Sequence, residues 1–239
     1  MCYWKADGRV WLRHLCWLGR RLIQFASTYD LVNVFLLVYA GLFPIINPIG
    51  SAPIFLGLSR HCTEKERNSL ALRVTINCFF LLLGSLLGGS YVLEFFGITL
   101  PIVRVAGGLL VTATAWKLLQ TGDYDDAQND RKTVTPADAF YPLTMPITAG
   151  PGSIAVAITL GSQRPRGANL AHVTLLGAAA IAGLVAIAAT IYICYRFAEG
   201  TVGALGESGI NVVVRLSAFI LLCIGFEIVW NGYAALIHS

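Results

Sequence analysis

Two short stretches of this chain hold the residues best suited to handling a small polar solute. Asn47-Pro48-Ile49-Gly50-Ser51 and Thr148-Ala149-Gly150-Pro151-Gly152-Ser153 each set proline beside glycine and end on serine. Proline lacks an N–H and clashes with the preceding helical turn, while glycine accepts backbone angles that other residues resist. A helix broken in this way frees backbone N–H and C=O groups. Asn47 adds an amide, and Ser51, Ser153, Thr144 and Thr148 add hydroxyls. A helix that restarts after such a break presents free N–H groups and the positive end of its dipole, which suits a carboxylate. Simple N-capping accounts for Ser51 and Ser153 equally well, and both roles can hold together. The chemistry is recognition rather than reaction: no Ser/His/Asp ordering, HExxH or P-loop occurs, so no catalytic residue, metal or cofactor is implied. Cys78, Cys194 and Cys223 lie in apolar runs, and Cys2, Cys16 and Cys62 lack metal-ligand spacing; all six read as small hydrophobes.

The elements that carry these stretches are membrane spans. The chain of 239 residues is 56% hydrophobic and 13% charged, where soluble domains carry roughly 25% charge. Residues 31–59, 74–93, 139–163 and 167–195 contain no Asp, Glu, Lys or Arg, and a helix needs about 20 apolar residues to cross the hydrocarbon. Six spans follow: 31–58, interrupted near Asn47–Gly50; 69–95; 98–119; 140–161, interrupted at Thr148–Gly152; 170–195; and 210–236. Backbone groups freed inside a membrane must be buried in protein or line a wet cavity. The net charge of +4 suits loops that touch anionic lipid. No basic face clusters beside aromatics, which argues against nucleic acid as a partner.

The halves overlay. Phe43-Pro44 with Gly50-Ser51 matches Met145-Pro146 with Gly152-Ser153 at a shift of 102 residues, which Leu58 and Leu160 keep. Val103-Arg104 matches Val214-Arg215 at a shift of 111, so the second half carries about 9 more residues before its third span. Three spans per half force the second half to enter from the opposite side. The expected fold is therefore all-α: a polytopic membrane protein with about six transmembrane helices, arranged as two inverted three-helix repeats with helices one and four interrupted. Residues 1–29 form an amphipathic extension, 30–120 the first repeat, 121–138 a polar linker and 139–239 the second repeat. Matched broken helices in inverted repeats are the sequence mark of a transporter site.

Among charged residues near the spans, Arg73, Arg104 and Arg215 lie close to helix ends, where snorkelling is the default and a gating ion pair the alternative. Glu227 sits well inside span six, where a carboxylate is expensive and is expected to face the interior, coupled or paired. His172 begins span five at the interface. Asn231 and Gly232 suit a helix–helix contact.

Taken together, Phe43-Pro44-Ile45-Ile46-Asn47-Pro48-Ile49-Gly50, Arg104-Val105-Ala106-Gly107-Gly108-Leu109, Met145 through Ser153, and Arg215-Leu216 with Asn231-Gly232 resemble the MarC family of six-helix bacterial and archaeal membrane proteins over residues 30–238. That family is also called the neutral amino acid transporter family. The resemblance implies an inner-membrane carrier of glycine, alanine and other small neutral amino acids. The extension lies outside the family pattern, and Glu227 stands where a neutral polar residue such as Gln is expected.

Loops after spans one, three and five carry Arg60, Lys65, Arg67, Arg131, Lys132 and Arg196, against Arg164 and Arg166 opposite. The positive-inside rule then places both termini outside, although the basic extension votes the other way. The reading is a transporter of small neutral amino acids embedded in lipid. Its coupling ion (sodium, proton or none) and its self-association are open. The alternatives are an exporter of another small metabolite, or a non-transporting membrane protein that assembles with or regulates a partner.

Overall fold

A computed structural model describes residues 30–59, 61–121, 139–162 and 170–237. The extension, the linker beyond Thr121, Arg60, Arg164, Arg166 and the side chain of His172 lie outside the described residues. The described chain is helical throughout. Helix α1 spans Asp30–Ile46, α2 Pro48–Leu58, α3 Glu64–Phe95 and α4 Leu100–Thr121. A kinked segment, Phe140–Thr148, extended at Tyr141 and Met145, precedes α5 Pro151–Ser162, α6 Leu170–Arg196 and α7 Ala198–Ile237.

Among the described residues, four helices are long and apolar enough to cross a membrane, and up to six spans result if each bent pair is one span. The bent pairs are α1 with α2, at 43°, and the Phe140–Thr148 segment with α5, at 66°. The first bend falls on Asn47 and the second on Ala149-Gly150, so the breaks lie where proline and glycine forbid a continuous ladder. Span two begins earlier than hydropathy suggests. Thr63 and Glu66 form a capping box that starts α3 at Glu64, the Glu66 carboxylate accepting from the Thr63 amide at 2.8 Å.

The packing between helices maps onto itself when the halves are exchanged. Helix α2 of the first half lies on α6 and α7 of the second, and α5 of the second half lies on α3 and α4 of the first. Helices α3 and α6 meet, and α4 and α7 form the most extensive pair. The α4–α7 pair is antiparallel: Gly232 abuts Arg104 and Val105, and Gly225 abuts Gly108 and Thr112. Small residues let the two backbones approach.

Gly97 (φ 67) and Gly206 (φ 65) adopt left-handed conformations before α4 and before the membrane part of α7, which is Gly209–Ile237. Between the end of α6 and Gly206 runs a helical segment that the first half lacks. This segment accounts for the extra residues ahead of the third span. The larger apolar core joins α1, α2, α3, α5 and α6, with Phe55, Leu70, Val74, Cys78 and Tyr195 fully buried in it, and a smaller one, Val111, Ala115 and Leu221, lies between α4 and α7.

Candidate solute site at the two helix breaks

The first break is a one-residue hinge. Asn47 sits in the left-handed region (φ 46, ψ 58), and its side chain accepts from the Gly50 amide at 3.2 Å, capping α2. Asparagine tolerates this conformation because its short amide bonds locally. Pro48 follows at the first helical position, where a missing N–H costs nothing. The second break has two residues, Ala149 and Gly150, with Pro151 likewise opening α5.

Both serines turn inward along their own helix. Ser51 Oγ donates to the Asn47 carbonyl at 2.9 Å, and Ser153 Oγ donates to the Gly150 carbonyl at 2.8 Å. Neither serine acts as an N-cap; for α2 that task belongs to Asn47. Thr144 and Thr148 donate back five residues, to Ala139 and Leu143, at 2.7 Å each, each across one extended residue, Tyr141 or Met145. All four hydroxyls are buried.

The breaks are joined by a side chain from α6. The Tyr195 hydroxyl lies 2.7 Å from Thr148 Oγ1, and the Ser51 side chain is close to the same hydroxyl. The Cys78 thiol, on α3, neighbours Thr148. The Tyr195 ring stacks on Phe55, one turn beyond Ser51, at 4.4 Å between centroids. A buried cluster thus links one residue from each break through groups on α3 and α6. Its hydroxyls bond to each other and to backbone carbonyls at the breaks, which satisfies polar groups that the apolar surroundings would otherwise penalise.

A profile described as MarC family integral membrane protein matches residues 32–237. The chain belongs to the MarC family. The inner membrane protein MarC of Salmonella typhimurium is 31% identical over 206 residues, covering 83% of this chain and 93% of that protein. Inner membrane protein MarC of Escherichia coli O1:K1 is 30% identical over the same shares. No solved structure matches. This MarC-family protein is a multi-pass protein of the inner membrane.

Gly50 and Gly152 both sit where the space beside them is filled from within the protein. A Cβ on Gly50 would strike the Asn47 side chain, and one on Gly152 would strike Val111 of α4. Gly107 faces Ala155 in the same crossing, so Gly152 serves close packing of α5 on α4. Pro48, Ala149 and Gly150 line the breaks, and Pro151 is exposed.

Glu227 does not face the interior. It lies exposed on α7, in a groove with Val105, Phe226, Trp230 and Tyr233, and accepts from Asn231 Nδ2 at 3.0 Å. The helix phase set by Gly225 and Gly232 against α4 turns this face outward. Gly232 makes the expected helix contact and Asn231 does not. Arg215 is exposed, Arg104 is half-buried, and neither forms an ion pair among the described residues.

Tyr195 escaped the sequence reading because it stands beside Arg196 at a span end, where tyrosine is ordinarily an interfacial anchor. Its full burial comes from α2 crossing α6, and nothing local signals that.

Proposed function

We propose that this MarC-family protein carries small neutral amino acids across the inner membrane through the region between its two helix breaks. The observation that supports this most is the Ser51–Tyr195–Thr148 cluster, where hydroxyls from both repeats meet inside the membrane. A carrier needs a polar point that both halves share and that either half can uncover. The carboxylate would take the hydroxyls and the start of α5, and the ammonium the second lone pairs of backbone carbonyls near Asn47 and Gly150. The glycines closed by Asn47 and Val111 leave little unfilled volume, which favours glycine and alanine over larger side chains. Uptake of labelled glycine and alanine into proteoliposomes, with and without sodium or proton gradients, tests the reading. Accumulation above protein-free vesicles supports it, and none under any gradient refutes it.

A second reading has one observation in its favour. Every hydroxyl at the breaks already has an internal partner, as a rigid, non-transporting membrane protein would have. The same uptake experiment separates the two.

A further inference from the structure

One ion pair joins the halves at a membrane face. Arg67 Nη2 on α3 lies 2.7 Å from Glu199 Oε1 on α7; the arginine side chain is 11% exposed and the glutamate 61%. Arg67 is a first-turn residue of α3, and Glu199 follows the end of α6. The pair therefore stands where α2 passes into α3 and α6 into α7, so these four helix ends share one face.

Below it runs a direct line to the cluster at the breaks. Arg67, Ala71, Val74 and Cys78 lie on one face of α3, and the last three are fully buried. At 1.5 Å per residue, Cys78 lies about 16 Å beneath Arg67. Between these levels stand Phe55 and Tyr195, stacked and buried, with Ser59 and Ala198 buried close to the surface. On that side of Ser51 and Thr148 the stacked rings lie nearer the cluster and the ion pair stands outermost.

The pair has no counterpart in the other half. At the repeat shift of 102 the position of Arg67 is taken by Asn169, and Glu199 stands on the extra segment that precedes Gly206. The residues that break the repeat symmetry thus carry the only described ion pair between the halves. A buried guanidinium requires its carboxylate, yet an exposed carboxylate holds weakly enough to release.

We propose that Arg67 and Glu199 form a latch that closes the path to the helix breaks from the face where α3 begins. The inference rests on the transport reading for its purpose, but its test needs no solute.

The test uses the full chain with Cys78 as its single cysteine, in sealed vesicles of either orientation. The rate at which a charged, membrane-impermeant thiosulfonate modifies Cys78 is measured from each face. Glu199→Gln is expected to raise the rate roughly 5-fold from the latch face, the scale of a partly exposed ion pair, and to leave the other face unchanged. Glu199→Asp, which keeps the charge, is expected to stay near the parent rate. An unchanged rate in Glu199→Gln, or an equal rise from both faces, overturns the latch. If amino acid uptake fails while the one-sided rise is seen, the solute assignment is wrong and the latch stands.

Discussion

The Tyr195 hydroxyl and Thr148 Oγ1 meet at 2.7 Å, across 47 residues of chain and the boundary between two helices that each belong to the second half. Ser51 of the first half lies close to the same hydroxyl, so Tyr195 stands between the break in α1–α2 and the break before α5.

Tyr195→Phe removes that hydroxyl and keeps the ring on Phe55. Each buried hydrogen bond contributes about 1 kcal/mol net, so a loss of about 1–2 kcal/mol is expected, read as a lower unfolding midpoint in detergent. Amino acid uptake is expected to fall more steeply than stability. Thr148→Val on top of Tyr195→Phe should cost less than the separate effects summed, because both remove the same bond. Full additivity would show that the two residues act independently.

Gly152→Ala places a methyl group against Val111 where α5 crosses α4. Overpacking of this kind costs about 1–3 kcal/mol. Val111→Ala in the same chain vacates the space and is expected to recover much of the loss. Gly152→Val should abolish transport, since it adds a branched side chain at the same crossing. Thermal unfolding and proteoliposome uptake of the three proteins check the assignment; a Gly152→Ala protein as stable as the parent would remove it.

Glu227→Leu is expected to insert, fold and transport as the parent does, with an unfolding midpoint equal or higher. The carboxylate lies on the outer face of α7, bonded to Asn231 one turn away, and a charge toward hydrocarbon is costly. Glu227→Gln should behave the same way. A marked loss of uptake in both variants would show that the outward carboxylate is needed for coupling after all.

Removal of residues 2–28 should leave membrane-inserted yield unchanged. The family match begins at residue 32, and the packed core draws on α1 onward. Yield is read by quantifying protein in washed membranes. A collapse would show that the basic amphipathic segment sets the topology.

How much was legible follows from what each signal depends on. The spans, the two interruptions and the match between halves came from the sequence, because hydrophobic length and the backbone limits of Pro48, Gly50, Pro151 and Gly152 are local properties. Even the extra residues ahead of the third span in the second half were visible as a change of shift from 102 to 111. The facing of each helix was not. Spans that are apolar on every side carry no periodicity to say which face turns inward, so Glu227 was placed inside and Tyr195 drew no reading at all. Only the crossing of α2 over α6 and of α4 over α7 fixed those rotations. The tertiary structure alone decided that Val111 fills the space beside Gly152, that Tyr195 stands between Ser51 and Thr148, and that Arg67 finds Glu199, since each contact joins residues far apart in the chain that close packing brings together.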